Sequence, residues 1–302
     1  MRHLISIRDL SRKQVEKYFR ETEKMERALE KGRVNALSGK IIATLFFEPS
    51  TRTKISFQAA AKRLGADVVD FNQETSSLKK GESFLDTIRM VDGYVDGMII
   101  RHESDGSARL ASEVATHPVI NGGDGANQHP TQTLIDLYAI KKFSGRVTNL
   151  HVTLFGDLKH ARAMRSFLYG VSMFGNEVDL CSPPGLGMDE NVISEIKERF
   201  GVAIREVSRP QLSNCDVLYV CRIQKERFSD PYEAVRVQQE FSINRQILRD
   251  AKKDMVILHP LPRIEEISRD IDSDKRARYF EQAKLGVPVR MAILVDVVGR
   301  GY

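Results

Sequence analysis

The sequence predicts an α/β protein made of two open parallel-sheet domains with an active site in the interdomain cleft. Three observations carry that prediction. Short β-branched apolar runs alternate with helical patterns along the 302 residues, the alternation restarts after Gly145, and the conspicuous polar motifs all follow the ends of expected strands. Alternating strands and helices build parallel sheets covered on both faces, and such open sheets bind ligands outside the carboxyl ends of their strands.

Taken in order, Ser11 and Gln14 form a capping box, and Val15, Tyr18, Phe19, Thr22, Met25 and Leu29 recur at helical spacing up to Gly32. Residues 40–47 (KIIATLFF) read as a buried strand, 51–64 as a helix, 67–71 as a strand and 82–91 as a helix. A strand at 97–101, a helix at 108–116 and a short strand at 118–121 complete the first series. A long helix over 131–143 leads to Gly145. Strands are then expected at 150–155, 177–181, 203–207, 217–221 and 255–258, with helices between them. The polar, irregular stretch 222–241 reads as a mobile loop, and a helix over 289–298 closes the chain. The domain division follows: residues 1–144, completed by a C-terminal helix within 287–302, and residues 145–286.

Composition excludes several classes. With 41% hydrophobic and 29% charged residues the chain has the balance of a soluble globular protein. No apolar run is long enough to cross a bilayer, and the charged start MRHLISIRDLSRK has no signal-peptide core, so a cytoplasmic location is expected, away from membranes. Cys181, Cys215 and Cys221 show no metal-ligand spacing and no CxxC pair, which points to reduced, buried thiols. The net charge of +5 comes from 46 basic residues dispersed among 41 acidic ones. No basic run with interleaved aromatics suggests nucleic acid; a basic enzyme handling small anions fits better.

The motifs give that enzyme its chemistry. Ser50-Thr51-Arg52-Thr53 stands where a strand stops and a helix begins. Free N–H groups, the positive end of the helix dipole, hydroxyls and a guanidinium together suit a phosphate; the plain alternative is an N-cap with a surface arginine. His129 precedes Pro130 at an expected helix start, one turn before Gln132, where the helix end favours a neutral imidazole able to donate to a carbonyl oxygen. Arg101, at a strand end, is placed to serve the same oxygen. Arg162, Arg222 and Gln224 also follow strand ends. Two guanidiniums outside the phosphate motif imply a second anion, and a dicarboxylate matches two forks, although ion pairs with Asp157 or Glu226 are the ordinary reading of either arginine alone. The stretch containing Ser76 and Lys80 reads, by composition, as a solvated loop. GxGxxG, a Walker lysine, GxSxG and His/Cys/Asp clusters at metal spacing are all missing from the sequence. No metal and no cofactor is therefore expected. The combination fits direct attack of a bound amine on an activated carbonyl, driven by positioning and oxyanion stabilisation.

FFEPSTRT, the SxxxKGE segment over 76–82, IRH, GDGANQHPTQT, GDLKHAR, RIQKERF and HPLPR, in this order, resemble the aspartate/ornithine carbamoyltransferase family over essentially the whole chain. RIQKER and HPLPR resemble its aspartate branch; an ornithine-type chain would carry an SMG-type segment and an HCLP loop there. The resemblance implies a carbamoyl-phosphate domain followed by a Rossmann-like aspartate domain. It further implies transfer of the carbamoyl group of carbamoyl phosphate to L-aspartate, an early step of pyrimidine synthesis. Ser50, Thr51, Arg52 and Thr53 would hold the phosphate. Thr53, Arg101 and His129 would polarise the carbamoyl oxygen, Gln132 would meet the carbamoyl amine, Pro260 and Leu261 would present backbone carbonyls to the substrate amines, and Leu261 and Pro262 would bind carbamoyl phosphate. Arg162, Arg222 and Gln224, with Lys80, would grip aspartate. Ser76 and Lys80 would come from a neighbouring subunit, making the site composite and the assembly a homotrimer, with room for a separate regulatory chain.

The departures from the family pattern are His160 for Tyr, Ala161 for Gly, Lys54 for Arg and Gly122 for Ala. His160 neighbours Arg162 and bears on aspartate affinity. Three alternatives stay open at this point: another amino acid as acceptor, a silent family member acting as a binding partner, and a dehydrogenase, the last disfavoured by the missing dinucleotide fingerprint.

Overall fold

The apolar run after Lys40 forms β1 (Ile41–Phe46), and its register sets the first sheet. The computed structural model describes residues 3–32, 34–72, 76–224, 232, 237 and 241–299, so most of the expected mobile loop lies outside the described residues. Two compact units emerge. One runs to Leu134 and resumes at Leu285; the other is Ile135–Lys284.

In the first unit β1 pairs in parallel with β2 (Asp67–Asp70) and with β3 (Gly97–His102), which pairs with β4 (Val119–Asp124), giving the order β2-β1-β3-β4. Ala43, Leu45, Met98 and Ile100 pack with Ile88, Val91, Ala108 and Ala111 of α3 (Phe84–Asp92) and α4 (Ser107–Val114). Residues of the opposite parity, Ile42, Ile99 and Ile120, are buried as well. Burial on both faces is why these strands are continuous apolar runs rather than alternating ones. On the second face, Gln58 of α2 (Thr51–Arg63) donates to Thr44 at 3.1 Å.

The first helix, α1 (Arg12–Glu30), has the expected capping box and buries Val15, Tyr18, Phe19, Thr22 and Met25. It packs on the C-terminal helix, which together with α2 completes this unit; Tyr18 donates to Asp296 at 3.0 Å and Lys17 forms an ion pair with the same carboxylate. Helix α5 (Pro130–Ser144) is divided between the units, because Asp136, in its second turn, accepts from Tyr219 at 2.7 Å and Gln282 at 2.6 Å.

The second unit has the order β7-β6-β5-β8-β9, again all parallel. Its strands are β5 (His151–Phe155), β6 (Glu177–Cys181), β7 (Ile204–Glu206), β8 (Val217–Val220) and β9 (Val256–Leu258), with helices α6 (Arg162–Met173), α7 (Glu190–Phe200) and the short α8 (Tyr279–Lys284). The C-terminal helix α9 (Gly286–Val297) starts earlier than the expected 289. Pro288 lies in its first turn, where its missing N–H removes no helical bond.

One buried carboxylate ties α3 to the loop before β4. Asp92 accepts the Thr116 and His117 N–H groups, both at 2.9 Å, and the Thr116 hydroxyl. Burial alone would raise its pKa, but these bonds more than offset it and hold the group below its ordinary value. A depressed carboxyl stabilises the fold above the ordinary carboxylate range and loses that contribution as pH falls through the lowered value. Asp92→Asn should lose about 1–3 kcal/mol at pH 7. The gap should close below about pH 4, as urea unfolding over a pH series would record; a constant gap would contradict this role.

Candidate active site

Each sheet reverses its strand order at one place, and the polar motifs gather there. In the first unit the reversal lies between β1 and β3. The Ser50–Thr53 motif leaves β1, Arg101 lies one residue from the end of β3 directly opposite Phe46, and the loop to His129 leaves the adjacent β4. In the second unit it lies between β5 and β8. Arg162 follows β5, Arg222 and Gln224 follow β8, and Leu261 follows the adjacent β9. Crevices at such reversals are the natural ligand sites of open α/β sheets.

Ser50 is the N-cap of α2, and its hydroxyl makes no capping bond. The first turn contains no acidic residue. A positive helix end beside Thr51, Arg52 and Thr53, with no carboxylate of its own turn, is suited to an anion from outside. Thr51 and Arg52 stand exposed, while Thr53 is buried. Behind this tip, Arg290 of α9, only 4% exposed, donates to the Ser56 hydroxyl and lies 4.8 Å from the Phe57 ring centre. Ser56 in turn donates to the carbonyl oxygens of Arg52 and Thr53. A buried cation thus braces the helix start and adds to its positive potential. Its sequence signal is slight: an arginine inside a helix whose one other charged residue is Asp296.

Arg101 is held from two sides: it donates to the Gly122 carbonyl at 3.1 Å and forms an ion pair with Glu48 of the FFEPSTRT motif. His129 is buried at the start of α5, its carbonyl accepting the N–H groups of Gln132 at 3.0 Å and Thr133 at 3.1 Å. Gln132 is half-buried on the first turn.

The loop that delivers His129 is organised by Asp124, which sequence reasoning also missed. One carboxylate oxygen accepts Asn121 Nδ2 at 2.8 Å and Gln128 N–H at 3.1 Å; the other accepts Gly106 N–H at 2.7 Å and Asn127 Nδ2 at 3.0 Å. Gly125 follows with φ +50°, and a Cβ there would approach Asp105 Oδ1 to 1.6 Å. Only glycine fits. His102, next to Arg101, sits among the rings of Phe47 and Phe84, and burial lowers its pKa; its Nδ1 accepts from Ser104 N–H.

Lys80 is exposed at the end of the 3-10 turn Ser77–Lys80, before Gly81 at φ +93°, and Ser76 immediately precedes that turn, half-buried.

In the second unit α6 opens on Arg162, with Arg165 in the same turn and no acid there. Guanidiniums at the positive end of a helix oppose its dipole, an arrangement that an external anion relieves. The loop before it is shaped by the buried Asp157, which accepts the N–H groups of Lys159 and His160 and faces His160 Nδ1 at 3.2 Å. His160 is therefore engaged with Asp157. Arg222 and Gln224 are half-buried beyond β8. Leu261 adopts φ +58° ahead of a cis bond to Pro262.

The cysteines offer no nucleophile: burial pushes Cys215 up to about 11 and Cys181 to about 12, and Cys221 is raised well above its ordinary value. Among the described residues no group of His, Cys, Asp or Glu is arranged to hold a metal, and no helix is long and apolar enough to cross a membrane.

Residues 2–142 match the family model of the aspartate/ornithine carbamoyltransferase carbamoyl-P binding domain, and residues 148–297 match its Asp/Orn binding domain. The chain belongs to the aspartate/ornithine carbamoyltransferase family. Among its similar relatives within that family are aspartate carbamoyltransferase catalytic subunits. That of Methanopyrus kandleri is 47% identical, covering 99% of this chain and 98% of that protein, and that of Archaeoglobus fulgidus is 48% identical, covering 99% of each. Among solved structures, the catalytic subunit of M. jannaschii aspartate transcarbamoylase superimposes with a TM-score of 0.92 at 44% identity, over 99% of this chain and 98% of that one. The Trypanosoma cruzi aspartate transcarbamoylase in complex with N-(phosphonacetyl)-L-aspartic acid gives 0.94 at 37% identity, over 98% and 96%.

Asp124→Ala would leave four donors around the His129 loop without their acceptor. It should destabilise the chain by about 2–4 kcal/mol, and Asp124→Asn by less because one oxygen acceptor remains. Urea unfolding checks this; a loss under about 1 kcal/mol for the alanine variant would show that the loop does not depend on the carboxylate.

Proposed function

We propose that this chain is an aspartate carbamoyltransferase, transferring the carbamoyl group of carbamoyl phosphate to the amine of L-aspartate to give N-carbamoyl-L-aspartate and phosphate. The reaction is an early step of pyrimidine synthesis and would run in the cytoplasm. The observation that carries the reading is the acid-free start of α2, with its hydroxyls and Arg52, at the same strand-order reversal as Arg101.

Carbamoyl phosphate binds first. Its phosphoryl oxygens take the N–H groups of the α2 tip, the hydroxyls of Ser50, Thr51 and Thr53 and the Arg52 fork. Arg101, His129 and Thr53 donate to the carbamoyl oxygen, while Gln132 and the backbone around Leu261 and Pro262 meet the carbamoyl amine. The second acid-free helix start, at Arg162, supports a separate anion, and with Arg222, Gln224 and Lys80 it holds the two carboxylates of aspartate. A cationic side chain such as that of ornithine would be repelled by this set, which supports the aspartate acceptor. The neutral amine attacks the carbonyl carbon, the oxyanion is stabilised by donors already in place, and the carbon–oxygen bond to phosphate breaks. The departing phosphate takes the ammonium proton, so no protein base is needed.

Ser76 and Lys80 act on a neighbouring subunit's substrates in a homotrimer. Two exposed apolar side chains would be covered by self-association: Ile55 of α2, 58% exposed, and Val69 of the edge strand β2, 50% exposed. The relatives' description as catalytic subunits leaves room for a regulatory chain.

Arg52→Ala should lower kcat/KM by about 10²–10³-fold, as loss of a preorganised anion donor does elsewhere; turnover near that of the unaltered chain would remove the phosphate assignment. Neither Arg52→Ala nor Lys80→Ala homotrimers should turn over appreciably. Mixing and reassembling the two should restore carbamoyl aspartate formation, because some sites then combine an intact Arg52 with an intact Lys80. Mixtures no more active than their parents would rule out shared sites.

A further inference from the structure

The loop after β9 carries a backbone conformation that its sequence does not favour. Leu261 lies at φ +58°, a region that glycine enters freely and a leucine avoids. Its side chain is packed against the buried core of the second unit, so the residue is anchored and cannot simply relax outward. The bonds around it show what holds it. Leu261 N–H donates to His259 Nδ1 at 2.8 Å. The opposite ring nitrogen, Nε2, lies 2.8 Å from Glu266 Oε1. His259 and Glu266 are both fully enclosed, with side chains 1% exposed.

These two contacts leave one protonation state. A nitrogen that accepts an amide hydrogen carries none of its own, so Nδ1 is bare and the single ring proton is on Nε2, where it is donated to the carboxylate. Glu266 is fixed as the acceptor by the N–H groups of Ile264 and Glu265. Burial alone would raise its pKa, but the bond from His259 and backbone N–H groups, that of Ile264 among them, hold it below the ordinary value. The backbone of His259 is secured separately: its N–H donates to Gln282 Oε1 at 2.9 Å, and Gln282 donates to Asp136.

We infer that His259 is a positioning residue: its imidazole, locked by Glu266 as the Nε2–H tautomer, accepts the Leu261 amide and thereby sets the left-handed backbone that presents the Leu261 carbonyl to carbamoyl phosphate. The inference rests on the proposed function for the role of that carbonyl, while the bond itself stands independently. A side-chain acceptor taking the N–H two residues on is the geometry that asparagine and aspartate build in turns. Histidine adds a second, opposed nitrogen that ties the turn to Glu266.

That equivalence supplies the test. Asparagine places its Oδ1 near the position of Nδ1 and can take the Leu261 amide. Glutamine is closer to histidine in size and reaches toward Glu266, but puts its polar atoms beyond that amide. A role limited to filling space would therefore favour glutamine; the positioning role favours asparagine. In the full-length chain, His259→Gln should raise KM for carbamoyl phosphate and lower kcat, by about ten- to a hundredfold together in kcat/KM. His259→Asn should stay within about threefold. Glu266→Gln, which keeps the histidine but weakens the tautomer lock, should fall between them. Inhibition by inorganic phosphate, which reads the α2 tip, should be unchanged in all three. Amide hydrogen exchange at Leu261, followed by NMR on a leucine-labelled chain, should quicken in His259→Gln and not in His259→Asn. Equal loss in the asparagine and glutamine variants, or a Leu261 amide as protected in His259→Gln as in the unaltered chain, would overturn the inference. An unaltered chain that forms no carbamoyl aspartate would overturn the functional reading instead, with the exchange rates still deciding whether His259 holds the turn.

Discussion

The parallel pairing of β1 with β3 is the constraint on which the rest depends. It sets Phe46 opposite Arg101, and Phe47 N–H donates to the Arg101 carbonyl at 2.8 Å. The chain leaving β1 therefore turns into the α2 tip at the level of Arg101, near the end of β3. A one-residue slip would send the Arg101 side chain to the other face of the sheet. The α2 tip and Arg101 reach the same edge of the sheet because two strands keep register, and the apolar runs buried on both faces enforce that register.

The same principle operates in the second unit with different strands. Its strand order reverses between β5 and β8, and the loops leaving those strands carry Arg162, Arg222 and Gln224. Both helix starts involved, those of α2 and α6, lack acids in their first turns and carry arginines instead. Helix starts usually attract carboxylates or small capping side chains. Two departures from that habit, each at a strand-order reversal, mark two places where the fold favours an incoming anion over its own stability.

Much of this was readable in the sequence, and the reason is local. The capping box at Ser11 and the apolar stripe of α1 are properties of neighbouring residues, and the helix forms as expected. Strands buried on both faces are continuous apolar runs, so their existence is plain even where their ends shift by a residue or two. The position of STRT, Arg101, the GDGANQHP loop and HPLPR after strand ends is likewise a matter of order along the chain. What stayed hidden is long-range. Arg290 reaches Ser56 across 234 positions, and nothing near either residue announces the other. Asp124 looks like an ordinary loop acid until the donors around it are brought in from β4, the loop before α4 and its own turn. His259 reads as part of a motif; its dependence on Glu266 emerges only when the loop has folded back. The last helix starts at Gly286, three residues before the expected 289, because the first turn of a helix accepts Pro288.

A crystal structure of the chain with carbamoyl phosphate bound tests the central claim most directly. Phosphoryl oxygens should lie at hydrogen-bonding distance, about 2.7–3.2 Å, from the first-turn N–H groups of α2, the Ser50 and Thr53 hydroxyls and the Arg52 guanidinium, with the carbamoyl oxygen directed at Arg101 and His129. Density for the ligand at any other place, with the α2 tip facing solvent alone, would contradict it.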